Sequence, residues 1–268
     1  MIKTLLLLII LMSSVVFAQE SEEDCYAYES FGSAYPLSKD QMAMIESLNE
    51  AVKRISSPRG SYEKKVRFFQ SIMPDVVAAL GEVEKERLEL MRILSLKNPD
   101  ASDLEKLESL KAKYDAKTTD ELKLKVNVIP IDLILVQSAI ESGWGESNAA
   151  KQCNNLMGLH AYGGLSVCDT PSRKIASFDS KKKSLETYIL SINRNSAYSD
   201  FRKKRQEILH ERQRFTGVEL APYLLKYSTR GKDYTDEVEK YIENHRLDDV
   251  ISSAVQIAEN CEFPAPTE

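Results

Sequence analysis

The sequence predicts a mainly α protein. Three observations carry this reading: apolar residues at three- and four-residue steps, turn signals where those runs break, and one long apolar run opened by a proline. Over residues 37–56 the apolar positions include Met42, Met44, Ile45 and Leu48, and over 62–79 they include Val66, Phe68, Phe69 and Ile72. Both stretches read as amphipathic helices, separated by the turn Ser57-Pro58-Arg59-Gly60. A third helix is expected over 83–96, with Leu88, Leu90, Met91 and Ile93 on its apolar face and a stop at Asn98-Pro99. A fourth is expected behind Ser102, which has Glu105 three residues on as in a capping box, and it continues through Leu104, Leu107 and Leu110. Together these form an N-terminal helical layer, residues 19–125, to which no chemistry is assigned.

The second half, 126–268, opens with Pro130 at a helix start and the apolar run 131–140, interrupted by Asp132, Gln137 and Ser138. So apolar a helix is expected to be buried. It carries Glu141 at its far end and stops in Ser142-Gly143-Trp144-Gly145, where Gly143 suits the left-handed conformation that ends helices. A carboxylate near the negative end of a helix and against apolar neighbours has its ionised form disfavoured. Its raised pKa is what a general acid needs near neutral pH.

Residues 1–18 read as a secretion signal, with Lys3 in the n-region, the apolar h-region around residues 5–11, and Val16-Phe17-Ala18 before the cut. The h-region falls short of the roughly 20 apolar residues a spanning helix needs, so no stable membrane anchor is expected. The four cysteines, all downstream, fit an oxidising compartment. Cys153 with Cys168 and Cys25 with Cys261 are the favoured pairs among three connectivities. Without the leader, 35 Lys and Arg face 41 Asp and Glu, a formal charge of −6, which argues against nucleic acid as a partner. There is no CxxC, and His160 has no second histidine at ligand spacing, so neither metal nor other cofactor is expected. GxSxG and HExxH are also missing.

The segment AIESGWGESNAAKQCNNLMGLHAYGG, residues 139–164, resembles the ALESGWG…NNLFG signature of glycoside hydrolase family 73, the glucosaminidase domains of the flagellar FlgJ type. The order of segments is similar to the narrower Bax-like group. There, helices precede VVPxxLxLxQAxxESGWG, and the end resembles RNSAYSDFRKKRQEIL and YLLKYSTRGKDYTDEVEKYI of this chain. The similarity spans residues 62–246 and is weakest in the N-terminal helices. It implies a lysozyme-like helical domain with a short β-hairpin or irregular loop. It further implies a secreted or periplasmic peptidoglycan glycosidase in which Glu141 protonates the glycosidic oxygen. Tyr234 matches the late tyrosine that lines the family's reaction centre, while Tyr227 is read as a groove or packing residue.

Around that acid, Asn154 and Asn155 could brace a loop or meet sugar hydroxyls, with the brace preferred. Trp144 could stack on a sugar, but a plug for the core is preferred. The second carboxylate is open, because the hairpin Glu of related enzymes has no counterpart in HAYGGLSVCDTPSRKIASFDS. Asp169 and Glu146 are equal candidates. Substrate assistance by the N-acetyl group and lytic transglycosylation are the other routes, and a non-catalytic wall-binding protein is the alternative class. Asp132, Glu141, Glu146 and Asp169 against Lys151 raise a preference for deacetylated peptidoglycan as a hypothesis. The stretch Arg202-Lys203-Lys204-Arg205 reads as a solvated helix face that could grip anionic wall polymers. The expected partner is the peptidoglycan glycan strand, and the expected state is a monomer.

Overall fold

The computed structural model describes residues 46, 61–162, 164–168, 174–211 and 215–244, apart from the side chains of 61–63 and 66. The leader, the expected helix over 37–56 (apart from Glu46), Asp169 and the Cys25–Cys261 pair lie outside the described residues. Helices run in the order α1 (Ser61–Ser95), α2 (Ala101–Tyr114), α3 (Thr119–Lys125), α4 (Ile131–Ser142), α5 (Asn148–Cys153), α6 (Lys181–Arg194), α7 (Ser199–Glu211), α8 (Gly217–Leu220) and α9 (Lys232–Asn244). Short 3-10 turns at Ser196–Tyr198 and Ala221–Leu224 precede α7 and follow α8. The fold is thus mainly α, as expected. No helix among the described residues is long and apolar enough to cross a membrane.

Two predicted helices, over 62–79 and 83–96, are one. α1 passes through Pro74 and Gly81 without a break because Leu80 and Val83, on either side of Gly81, are both buried in the core. Packing of α1 along α6 outweighs the roughly 0.5–1 kcal/mol that a mid-helix glycine costs. The cap of α2 also differs from expectation. Asp100, not Ser102, is the N-cap, and it exchanges hydrogen bonds with Asp103 in a capping box. Asp103 is fixed in turn by Arg92 of α1, a partner that the local pattern could not reveal.

α4 is apolar on every side and is enclosed accordingly: every residue from Ile131 to Ala139 is buried. Its Leu133, Ile134 and Ala139 meet Ile72, Met73 and Val76 of α1, Leu185 and Ile189 of α6, and Val238 and Ile242 of α9 in one core. Each of these side chains larger than alanine contributes about 1.5–3 kcal/mol on burial. Residues on both sides of position 125 share this core, while Leu90, Leu110, Tyr114, Leu122 and Val126 form a second cluster.

The buried polar groups on α4 are matched. Asp132 Oδ2 accepts from the Gly217 amide at 2.7 Å, an approach that a Cβ on residue 217 would obstruct. Ser142 Oγ donates to the Ser138 carbonyl and accepts from the Gly145 amide.

The basic stretch on α7 is not a uniformly solvated face. Arg202 and Arg205 are 5% and 1% exposed, whereas Lys203 is open to solvent. Arg205 donates to the carbonyls of Leu124 and Val128 at 2.7 and 2.9 Å and to Asn193 Oδ1 at 2.9 Å. The side chain therefore caps the Leu124 carbonyl in the last turn of α3 and the Val128 carbonyl in the connection to α4, where helical partners are lacking. Burial lowers its pKa to about 9.

Between α5 and α6 the chain forms an irregular loop with isolated antiparallel bridges, His160 with Ile175 and Val167 with Ala176. Cys153 and Cys168 are joined, with Cα atoms 5.8 Å apart, so the favoured central disulfide is present. It anchors this loop to the end of α5.

Candidate active site

Glu141 sits in the last turn of α4, which ends at Gly143 with φ 58°. Gln137, one turn earlier on the same face, interrupts the apolar run for a reason the structure makes plain. Tyr234, on α9 and 2% exposed, donates its hydroxyl to Glu141 Oε1 at 2.9 Å. That hydroxyl accepts from Gln137 Nε2 at 3.0 Å, and Gln137 Oε1 in turn accepts from the Tyr188 hydroxyl. The result is a directed buried chain, Tyr188 to Gln137 to Tyr234 to Glu141. Each donor in it polarises the next.

Burial is the largest influence on Glu141 and raises its pKa above the ordinary glutamate value. The Tyr234 hydrogen bond and the Arg230 charge pull the other way, and the Glu237 charge adds to the rise. Tyr234 itself is pushed well above the usual phenol range, first by burial and then by the Glu141 charge, so it remains a donor.

The other oxygen of Glu141 faces the loop after α5. A Cβ placed on Gly158 would lie 3.4 Å from Oε2, and Gly158 has φ 62°, a conformation that L side chains rarely adopt. The two asparagines hold this loop. Asn155, 1% exposed, donates to the carbonyls of Leu159 and Ala176 and accepts from the Leu159 amide. Asn154 donates to the Phe178 carbonyl at 3.0 Å. Both side chains face inward, and neither amide is presented to a sugar by these bonds.

Tyr227 stacks on Tyr234 with centroids 5.3 Å apart and reaches the Met157 carbonyl with its hydroxyl. Trp144 packs against Phe68, Phe69 and Tyr241, with Lys65 over its ring, so it joins α4 to α1 and α9. Glu146 is exposed and paired with Lys151 and Lys64, and these lysines hold its carboxyl below the usual range. Asp132 is buried on the Gly217 amide. Of the four acids first considered for the groove, Glu141 alone is described at this site.

The fold also brings near a second carboxylate that no motif marks. Glu237 lies one turn after Tyr234 on α9 and meets Arg230 at 2.7 Å. Its Oε2 lies off the hydrogen-bond axis and takes no hydrogen bond among the described residues. Arg230 also lies 5.9 Å over the Tyr234 ring. The three-residue step from Tyr234 was the available signal, and it was hidden in an ordinary charged helix face. No group of metal-binding side chains occurs among the described residues.

A family model for glucosaminidase, described as mannosyl-glycoprotein endo-beta-N-acetylglucosaminidase, matches residues 116–247. The matched domain covers just under half of the chain. This domain spans Gln137, Glu141, the Gly158 loop, Tyr188 and Tyr234, so the whole polar chain lies inside it. The chain is also similar to Protein bax of Escherichia coli (strain K12), at 29% identity over 202 residues, 71% of this chain and 73% of that protein. No solved structure matches. The glucosaminidase match supports a hydrolase acting on peptidoglycan.

Proposed function

We propose that the chain cuts the glycan strand of peptidoglycan with Glu141 as its proton donor and Tyr234 as the group that steadies the carboxylate left behind. The observation that carries this reading is the 2.9 Å bond from Tyr234 to Oε1 of a desolvated Glu141. With Oε1 occupied, the acidic proton resides on Oε2, the oxygen beside Gly158. It passes to the glycosidic oxygen as the C1–O bond breaks, and the bond pair leaves with that oxygen. Tyr234 then stabilises the new carboxylate without giving up its own proton.

Glu146 is tied to two lysines and Glu237 to an arginine, which disfavours either as a free nucleophile. The reading therefore takes the substrate's acetamido oxygen as the group that attacks C1. Water then opens the ring so formed and returns its proton to Glu141. Lytic transglycosylation, in which the sugar's own hydroxyl attacks, is supported by the same shortage of free carboxylates. A preference for deacetylated glycan has less support, because Arg230 stands beside Glu141 and two of the four acids that motivated it are engaged elsewhere. The periplasm or the cell exterior is the compartment in which such a substrate is met.

The test is zymography on peptidoglycan with Glu141→Gln, together with mass spectrometry of the wild-type products. Clearing by the wild type and none by a folded Glu141→Gln supports the reading, while clearing by both removes it. Reducing ends in the products assign hydrolysis, and 1,6-anhydro ends assign transglycosylation. Equal or faster cleavage of acetylated wall removes the deacetylated preference.

A further inference from the structure

Away from the Glu141 cluster, a cavity of about 690 Å³ opens where the α2–α3 connection, α3, the end of α6 and the start of α7 meet. Four cations line it, Lys117, Lys125, Arg194 and Arg202, against the carboxylates of Asp115 and Glu121. Glu121 is already engaged, by Lys125 at 2.8 Å and by the Lys117 amide at 2.8 Å. Lys125 also donates to the Asp115 carbonyl. Lys117 and Arg194 are exposed at the rim, and their side chains form no ion pair with described residues.

Arg202 is the feature that gives the cavity a purpose. It is 5% exposed, yet only Nη1 is engaged, with the carbonyls of Ile192 and Asn195, each at 2.8 Å. Nε and Nη2 make no hydrogen bond to a described residue, yet neither is among the sealed atoms left without a partner, and the side chain lines the cavity. A guanidinium anchored through one nitrogen at the wall of a cavity keeps its other donors available to a ligand. Two spare nitrogens of its planar fork match the two oxygens of a carboxylate or a phosphate. Ser191 and Ser196 line the same space and supply hydroxyl donors.

We propose that this cavity binds an oxyanion, a carboxylate or phosphate group, on the open donors of Arg202 between the rim cations Lys117 and Arg194. The cations exceed the carboxylates, which excludes a metal cation and favours an anion. The site gives the chain a hold on an anionic group separate from the place where a glycan would be cut. Peptide carboxylates and phosphate esters share this chemistry, so the test separates them.

The experiment is calorimetric titration of the purified chain with inorganic phosphate and with succinate, at constant ionic strength with chloride as background. The rim double variant Lys117→Gln/Arg194→Gln is used because both side chains are exposed and the buried Arg202 is left in place. Saturable binding of one anion, weakened roughly tenfold or more in the double variant, is expected. Tighter phosphate binding assigns the site to phosphate esters, and tighter succinate binding assigns it to carboxylates. A response no better than chloride, or saturable binding that the double variant retains in full, overturns the proposal.

Discussion

The Tyr234 hydroxyl stands between Gln137 Nε2 and Glu141 Oε1, at 3.0 and 2.9 Å, so it accepts from one and donates to the other. This placement fixes its proton toward Glu141. Removing the hydroxyl in Tyr234→Phe takes away an interaction that lowers the Glu141 pKa and leaves Gln137 Nε2 without its acceptor. The basic limb of the activity profile should therefore move to higher pH. Activity at the optimum should fall, roughly 10- to 1,000-fold, as for loss of a single donor to a developing charge. An unmoved limb in a folded variant would contradict this role.

Glu141→Gln should abolish glycan cleavage, by roughly 100- to 10,000-fold or more. It should also stabilise the protein under conditions that follow from the sign of the shift. The folded-state pKa is raised, so the stability that Glu141 contributes is full below its unfolded pKa and is lost as pH rises through the folded one. The neutral amide escapes that loss. At pH 7 its melting temperature should exceed the wild type's by roughly 2–4 °C for each kcal/mol recovered. At pH 4 the two should coincide, and a gain of the same size at both pH values would refute the linkage.

Arg230 and Glu237 act on Glu141 with opposite signs, and their 2.7 Å ion pair balances the two. Glu237→Gln removes one negative charge and leaves Arg230 uncompensated, so the basic limb should fall to lower pH. Arg230→Gln should raise it. Carboxyl NMR titration of Glu141 checks the shifts without relying on turnover. Two variants moving the titration in the same direction would point to a general structural effect instead.

Much of this site was legible because its parts are local in the chain. Pro130, the apolar run and Gly143 define α4 by helix chemistry alone, and Glu141 falls at its end whatever surrounds it. Cys153 and Cys168 close a short loop for the same local reason. The rest is carried by meetings across the fold. Gln137 reaches Tyr188 and Tyr234 over 51 and 97 residues, and no periodicity reports such a partner. The unbroken α1 has the same origin, since burial of Leu80 and Val83 against other helices decides the conformation at Gly81.

Gly158 should not tolerate a side chain. Its φ of 62° costs an alanine about 1–2 kcal/mol, and the new methyl would sit 3.4 Å from Glu141 Oε2. Gly158→Ala should lower cleavage more than stability, because the methyl crowds the oxygen from which the proton leaves. Comparing turnover with the urea midpoint separates the effects. Wild-type turnover in a destabilised variant would show that Oε2 is not the donating atom.

Arg205 tests the opposite lesson, that a charge in a basic run can be structural. Lys203 and Arg205 are two residues apart on α7, so they face different sides of the helix. Among the described residues Lys203 pairs with exposed Asp200, and Lys203→Gln should change stability by no more than about 0.5 kcal/mol. Arg205→Met fills much of the same volume but leaves the Leu124 and Val128 carbonyls without their guanidinium donor. Unpaired buried carbonyls cost about 1–3 kcal/mol each, so the variant should lose roughly 2–5 kcal/mol in urea denaturation. Arg205→Lys keeps the charge but cannot span Leu124, Val128 and Asn193 with one ammonium group, and it should recover only part of the loss. If the methionine variant is as stable as wild type, those carbonyls are satisfied by another route and the arginine is dispensable to the passage between α3 and α4.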